Sequence, residues 1–146
     1  MKIRIKYFEG AVKLKKIEKG NWIDLYSNAD IFIKTGEKAM IPLGIAMELP
    51  KGWEAHVAPR SSTFKTWGII QTNSVGVIDD TYIGDTDQWH MPVFCLQGRD
   101  GGGSMIKKGD KVCQFRIMEV MPEIEFDEVD FFGNEGRGGF GSTGVK

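Results

Sequence analysis

Gly109-Asp110-Lys111-Val112-Cys113-Gln114-Phe115-Arg116-Ile117 is a turn followed by a nearly continuous β run, and this pattern recurs along the chain. Apolar residues alternate with others at Ile3–Tyr7 and again at Ile31–Ile33. Turn signals punctuate these runs at Gly20-Asn21, Gly36, Pro50-Lys51-Gly52, Gly84-Asp85, Gly98–Gly103 and Gly109-Asp110. Short strands at such a spacing predict an all-β sandwich, jelly roll or barrel.

Two local features interrupt the strand pattern. Ser61-Ser62 is expected to cap one short helical turn, which Gly68 would end. The run Arg99–Ser104 is rich in glycine and predicts a hairpin loop. We find no internal repeat and no linker, so the chain forms one unit until about Glu128.

Composition narrows the class of protein. The 146 residues are 41% hydrophobic and 27% charged, with a formal net charge of −1, as in one ordinary globular domain. No apolar run has the length of a membrane span or a secretory signal, so we expect a cytoplasmic protein without membrane contact. Cys95 and Cys113 lie in apolar strand patterns, as core thiols do. The charge balance indicates a small bound anion, such as a nucleotide, and no nucleic-acid partner.

Two segments in the middle of the chain carry candidate binding groups. Pro59-Arg60-Ser61-Ser62 places an arginine and two hydroxyls at the predicted helix start, where phosphate binds well, although a surface arginine beside an ordinary cap fits equally. Asn73–Gly84 contains Asn73 for a base edge, Asp79 for a hydroxyl or an attacking water, and Tyr82 for a sugar. The alternative for this second segment is a hairpin with an Asp-rich turn.

The glycine-rich segment Gly133–Gly144 is suited to closing over an anion, because Arg137, Ser142 and Thr143 supply donors on a flexible backbone. A disordered tail is the alternative. The dinucleotide fingerprint within it lacks the strand and helix that such a site needs. Asp24 and Gln114, each a polar residue among apolar neighbours, are weak candidates on their own.

In order, Trp22–Leu25, Pro59–Ser62, Asn73–Gly84, Gly109–Gln114 and Arg137–Gly144 resemble the five motifs of the trimeric dUTP pyrophosphatases (dUTPases), of bacterial or phage type. The resemblance implies a jelly-roll homotrimer that hydrolyses dUTP to dUMP and pyrophosphate at sites shared between subunits. It also implies a nucleotide-binding domain over residues 1–130 and a C-terminal lid arm, exchanged between subunits, over 131–146.

The same resemblance implies roles for individual residues. Asp79 would orient the water that attacks the α-phosphate, and Ser61 would lie near the α,β bridge where charge develops. Mg²⁺ would bridge the phosphates, with Asp24 acting through water or through Arg60. The implied substrate-binding residues are Arg60, Ser62, Asn73, Gly76, Val77, Ile78, Tyr82, Trp89, His90, Gln114, Arg137, Phe140, Gly141, Ser142 and Thr143.

This chain departs from the family pattern in two places. Arm motifs usually read Arg-Gly-x-Gly-Gly-Phe-Gly-Ser-x-Gly, whereas Arg137 here is two residues closer to Phe140. The hairpin expected after Tyr82 is longer than usual. We therefore hypothesise that Trp89 or His90 in that hairpin supplies an aromatic cover for the base, in place of Phe140 or beside it.

Two other functions are compatible with the same motifs. A dCTP deaminase of this fold needs a glutamate on the strand after the hairpin, and Thr81–Gln97 contains none. A non-catalytic dUTP sensor would use arm closure to gate a partner. Retention of Asp79 favours catalysis over the sensor.

Overall fold

A computed structural model describes all residues, 1–146, as eleven short strands and one helix. The elements are β1 Arg4–Tyr7, β2 Ile23–Tyr26, β3 Ile31–Lys34, β4 Lys38–Pro42, β5 Ile45–Glu48, β6 Trp53–Pro59, α1 Thr63–Trp67, β7 Ile69–Gln71, β8 Gly76–Ile78, β9 His90–Cys95, β10 Gly103–Ile106 and β11 Lys111–Glu119. The expectation of an all-β fold with one helical turn is confirmed. No helix is long and apolar enough to cross a lipid bilayer.

The strands form four antiparallel sheets, and partners are mostly distant in sequence. The largest has the order β2-β11-β6-β8, a second has the order β4-β9-β7, and two pairs join β1 to β5 and β3 to β10. Strand β8 therefore lies at a sheet edge, with one neighbour only. Non-sequential neighbours of this kind require connections that cross between sheets.

The core draws side chains from all four sheets. Trp89 and Phe115 pack edge to face across it with ring centroids 5.2 Å apart, which joins the β9 region to β11. Cys95 and Cys113 are free, buried thiols, as predicted, and burial raises the pKa of Cys113. In β11 the register against β2 shifts between Lys111 and Cys113. This irregularity explains why consecutive residues there are buried in a run that does not alternate strictly.

Helix α1 begins and ends where the sequence predicts, but the hydrogen bonds at its start differ from those expected. Gly68 adopts a left-handed conformation (φ 63°) and its N–H donates to the Phe64 carbonyl, which closes the helix. Ser62 is the N-cap residue, as the sequence predicts, but its hydroxyl makes no capping hydrogen bond. Thr63, the first helical residue, fixes the start of the helix instead: its hydroxyl accepts from the Arg60 N–H and donates to the Val112 carbonyl.

Both predicted hairpins are wrong. Arg99–Ser104 leads from β9 to β10, but β10 pairs with β3. The segment after Tyr82 leads from β8 to β9, but β8 pairs with β6, and β9 lies between β4 and β7. Each segment is a crossing between sheets, and the second of them forms one wall of the candidate site.

Candidate active site

A cavity of about 310 Å³ opens where the β8 edge, the end of β7 and the start of β9 meet. That volume is at the lower end of small-molecule sites. The cavity brings together eight of the residues predicted to act on substrate, all of them from the central motif and the segment that follows it. Its lining residues are Met40, Val57, Gln71, Asn73, Gly76, Val77, Ile78, Asp79, Tyr82, Gln88, Trp89, His90 and Pro92.

A tight turn carries Asn73 into this cavity. Ser74 takes a left-handed conformation (φ 57°), and its N–H donates to the Gln71 carbonyl. A Cβ on Gly76 would lie 3.3 Å from Val57 Cβ and 3.4 Å from Asn73 Nδ2, so a larger residue there would require these side chains to shift by a few tenths of an ångström. The Asn73 amide makes no intramolecular hydrogen bond and is exposed to the cavity.

Asp79 follows β8 directly and is held by a local turn. One carboxylate oxygen, Oδ1, accepts the Thr81 N–H at 2.8 Å and a short bond from the Thr81 hydroxyl. These bonds, the hydroxyl first and the backbone N–H second, hold the pKa of Asp79 below its ordinary value. The carboxylate is therefore ionised at neutral pH, and it is fully exposed at the mouth of the cavity.

The Gln88 carbonyl organises the opposite wall. It accepts the Tyr82 hydroxyl at 3.0 Å, and His90 Nδ1 lies 2.9 Å from the same oxygen. This places the Nδ1 proton of His90 in that bond, because a carbonyl oxygen only accepts. The Gln88 side chain also accepts the Gly44 N–H at 3.0 Å, which ties the wall to the turn between β4 and β5.

Trp89 is not an aromatic cover, and this part of the hypothesis is wrong. Its side chain is 1% exposed and packs on Phe115, so it forms an inner wall of the cavity. Its backbone N–H donates to the Ile45 carbonyl and its carbonyl accepts the Leu43 N–H, so neither is free for a ligand. The cause is the crossing between sheets, which turns Trp89 into the core. His90 remains exposed.

A second cavity, of about 330 Å³, collects the phosphate contacts predicted in the body of the domain except Ser62, which follows Ser61 but does not line the cavity. Asp24 pairs with Arg60 at 3.0 Å and with Lys111 at 3.4 Å, and Gln114 donates to the Pro59 carbonyl. Ser61 has a free hydroxyl. The lining residues are Lys19, Gly20, Asn21, Trp22, Asp24, Arg60, Ser61 and Gln114, and none is shared with the first cavity. Within one chain, base-type and phosphate-type groups are therefore separate.

The C-terminal segment contacts neither cavity. All residues from Val120 onward are exposed, and Phe140 is completely so. The arm's own backbone bonds are two turn bonds, from Ser142 N to the Gly139 carbonyl and from Gly144 N to the Gly141 carbonyl. Arg137 forms no ion pair with any carboxylate of the chain. The structure thus leaves the predicted arm residues apart from Asp79.

Three residues of the site escape prediction from sequence. Gln71 is buried, with Nε2 donating to the Val57 carbonyl at 2.9 Å and to the Ser74 carbonyl at 3.3 Å, which clamps the Asn73 turn to β6. The only signal in the sequence is one polar residue after two isoleucines in β7. Thr81 and Lys19 carry no signal at all, because loop residues show no periodicity.

The side chains available as ligands indicate how the protein could hold a metal ion. No cluster of three or more His, Cys, Asp or Glu side chains could hold one. Both Asp24 oxygens already face cations, Arg60 and Lys111, rather than an empty inner-sphere position. Mg²⁺ keeps several waters and takes substrate phosphates as ligands, so these residues fit an ion held through water and phosphate rather than by an all-protein cage.

Comparison with known proteins identifies the fold and the family. The dUTPase family model matches residues 15–144. A prophage-derived deoxyuridine 5′-triphosphate nucleotidohydrolase of Bacillus subtilis is 55% identical over 147 residues, covering 100% of both chains. A deoxyuridine 5′-triphosphate nucleotidohydrolase of Finegoldia magna is 37% identical and covers 82% of this chain and 80% of its own.

Among solved structures, the dUTPase of Staphylococcus bacteriophage 80alpha with dUpNHpp superposes with a TM-score of 0.80 at 20% identity, covering 99% of both chains. A dUTPase from Streptococcus mutans gives a TM-score of 0.72 at 19% identity, over 83% of this chain and 98% of its own. The fold is therefore the predicted jelly roll. The chain belongs to the dUTPase family.

Proposed function

We propose that this chain hydrolyses dUTP to dUMP and pyrophosphate, and so keeps uracil out of DNA, using Asp79 to orient the attacking water. The observation that carries the proposal is the placement of Asp79 in the wall of the same cavity as Asn73 and Tyr82. Family membership and a relative 55% identical along the whole chain support the activity. The relatives and solved structures named above are dUTP nucleotidohydrolases and dUTPases, so they lend no support to the deaminase alternative.

The chemical step requires an ionised carboxylate, and the Thr81 bonds supply one at Asp79. Asp79 accepts a hydrogen bond from the deoxyribose 3′-hydroxyl and from a water molecule. The water oxygen forms a bond to the α-phosphorus as the Asp79 carboxylate takes one of its protons, the bond from that phosphorus to the α,β-bridging oxygen breaks, and pyrophosphate leaves with the bonding electrons. Asp79 then releases the proton to solvent. An oriented base of this kind contributes about 10² to 10⁴ in rate.

Base and sugar recognition falls to the first cavity. The free Asn73 amide has both a donor and an acceptor for the uracil edge, and the β8 edge at Gly76, Val77 and Ile78 adds unpaired backbone groups. The Tyr82 ring packs under deoxyribose, fixed by its bond to the Gln88 carbonyl. A close fit there leaves no room for a 2′-hydroxyl, which would exclude UTP.

Phosphate binding falls to the second cavity and to the arm. Arg60, oriented by Asp24, and the free hydroxyls of Ser61 and Ser62 supply donors to phosphate oxygens, with Gln114 beside them. The arm adds a second set of hydrogen-bond donors to the phosphates, and its phenyl ring stacks on the base. Its members are Arg137, Phe140, Gly141, Ser142 and Thr143.

The active molecule is a homotrimer in this proposal. Base-type and phosphate-type groups share no cavity within one chain, and the arm touches neither. A complete site therefore needs a second copy to bring one cavity to the other and a further arm to close it. This arrangement gives the exposed segment from residue 131 onward its function as a lid exchanged between subunits.

Mg²⁺ is the proposed cofactor, and Asp24 would hold it through water together with the substrate phosphates. When bound, the ion neutralises charge on the phosphates. A structural Mg(II) ion is described for the dUTPase of phage phi11 of S. aureus, a neighbour in fold. The free thiols of Cys95 and Cys113 suit the reducing cytoplasm, where we place the enzyme.

The test is pyrophosphate release from dUTP, dCTP, dTTP and UTP with Mg²⁺ present, for the natural chain and for Asp79→Asn. Turnover restricted to dUTP, with a loss of about 10² or more in kcat for Asp79→Asn, is the expected result. Release of ammonia from dCTP, or equal turnover of all four nucleotides, would contradict the proposal. Asp80→Asn is the matched control, because that neighbour's carboxylate accepts the Gly52 N–H instead.

A further inference from the structure

Lys19 lies in the loop before β2 and lines the cavity that contains Arg60, Ser61 and Gln114. Nothing in the five motifs points to it. Two other cations stand close by, Arg60 and Lys111, but both are paired with the single carboxylate of the cavity, Asp24. Lys19 has no carboxylate within ion-pair distance anywhere in the chain. It is therefore the cation of this cavity whose charge is not neutralised.

The charge balance of the cavity favours an anion with several negative charges. Its lining has one carboxylate, Asp24, and two cations, Lys19 and Arg60, while Lys111 pairs with Asp24 from the adjoining cavity. The remaining polar groups, on Asn21, Ser61 and Gln114, are neutral donors. A local excess of positive charge in a concave surface attracts and holds polyanions. A triphosphate or a pyrophosphate has the charge and the number of acceptor oxygens to match it.

The position of Lys19 in the cavity, relative to Asp24 and Gln114, indicates which phosphate groups it contacts. Asp24 and Gln114 are half-buried on the inner side of the cavity, whereas Lys19 is exposed at its outer side. The terminal phosphates lie farthest from the base and carry the largest charge. We propose that Lys19 is a phosphate-binding residue whose ammonium contacts the terminal phosphates of the bound nucleotide and the pyrophosphate released from it.

This inference rests on the proposed function for the nucleotide, but not for pyrophosphate, whose binding can be measured directly. Lys16 provides the matched control. It lies in the same loop with the same charge, and it lines a neighbouring cavity with Trp22 and Lys111 but not the one that contains Arg60. Lys19→Ala and Lys16→Ala change the net charge equally, and both residues line the neighbouring cavity, but only Lys19 also lines the one that contains Arg60.

The experiment measures three quantities for the full chain and for Lys19→Ala, Lys19→Arg and Lys16→Ala. They are the calorimetric Kd of inorganic pyrophosphate, the Kd of dUMP, and KM and kcat for dUTP. Because Lys19 is exposed, we expect Lys19→Ala to weaken pyrophosphate binding and raise KM for dUTP by about threefold to tenfold. The Kd of dUMP should be unchanged, and Lys19→Arg and Lys16→Ala should resemble the natural chain.

Equal behaviour of Lys19→Ala and Lys16→Ala would overturn the proposal, because only general charge would then matter. Equal weakening of dUMP and pyrophosphate would also overturn it, since that pattern assigns Lys19 a role in loop structure. If the natural chain fails to turn over dUTP yet binds pyrophosphate in a Lys19-dependent way, the proposed function fails and the Lys19 site stands.

Discussion

Phe140, Trp89 and His90 are the aromatic residues that the sequence offers as covers for the base, and the environments of Phe140 and Trp89 differ most sharply in the structure. Phe140 is fully exposed, at 115% of the reference area, and touches nothing in the free chain. Trp89 is 1% exposed and packs on Phe115. Phe140→Ala therefore removes contacts from the nucleotide complex, whereas Trp89→Ala removes contacts from the folded protein itself.

The expected magnitudes follow from those environments. Stacking of an aromatic side chain on a base contributes about 1–3 kcal/mol, so Phe140→Ala should lower kcat/KM for dUTP by about 5- to 150-fold. The same substitution should leave the melting temperature unchanged. Trp89→Ala empties a large volume in the core and should cost about 3–5 kcal/mol in the free energy of unfolding.

The assay pairs steady-state pyrophosphate release with thermal unfolding of each variant. Phe140→Leu is a useful intermediate, because it keeps apolar area but loses the ring, and it should recover little of the activity. The reasoning is refuted if Phe140→Ala retains full kcat/KM, which would mean that the arm does not cover the base. It is equally refuted if Trp89→Ala unfolds at the temperature of the natural chain.

Further predictions concern a carboxylate, a helix end and the metal ion. Thr81→Val removes the hydroxyl that lowers the pKa of Asp79, so that pKa rises, and the acid limb of kcat/KM should move to higher pH while Thr81→Ser leaves it in place. An unmoved limb would show that Asp79 ionisation does not control the rate. Gly68→Ala forces a Cβ to 1.7 Å from the Gln97 carbonyl oxygen in a left-handed backbone, and should destabilise by more than about 2 kcal/mol. Gly36→Ala, at a position with φ 88° and open space around it, should lower the free energy of unfolding by less, as measured by chemical denaturation. Equal losses of stability in the two variants would contradict the proposed clash of the Gly68→Ala Cβ with Gln97. Removal of divalent ions with EDTA should abolish turnover, and added Mg²⁺ should restore it, with no change in melting temperature; full activity in EDTA would contradict the metal assignment.

Much of the fold follows from local sequence pattern. The alternation in β1 and β3 and the glycine that ends α1 are local signals, and each appears in the structure where it was expected. Sheet membership is not a local property. Strand β9 pairs with β4 and β7 rather than with either sequence neighbour, so the hairpins predicted on both sides of it are wrong.

The candidate site, like the fold, was predictable where neighbouring residues of the sequence form it. Asn73, Asp79 and Tyr82 do share a cavity, because a short turn and strand hold them together along the chain. The burial of Trp89 was not predictable, since a crossing between sheets, not its own surroundings in sequence, turns it inward. The burial of Gln71 could not be predicted from the sequence. Its side-chain amide is buried because it donates to two carbonyl groups, one of them on β6.

The location of the bond broken tests the central claim most directly. Hydrolysis of dUTP in ¹⁸O-labelled water, followed by mass spectrometry of both products, reports which phosphorus the water attacks. If Asp79 orients the water toward the α-phosphorus, a single ¹⁸O should appear in dUMP and none in pyrophosphate. Label in pyrophosphate, or release of orthophosphate with dUDP, would contradict the account.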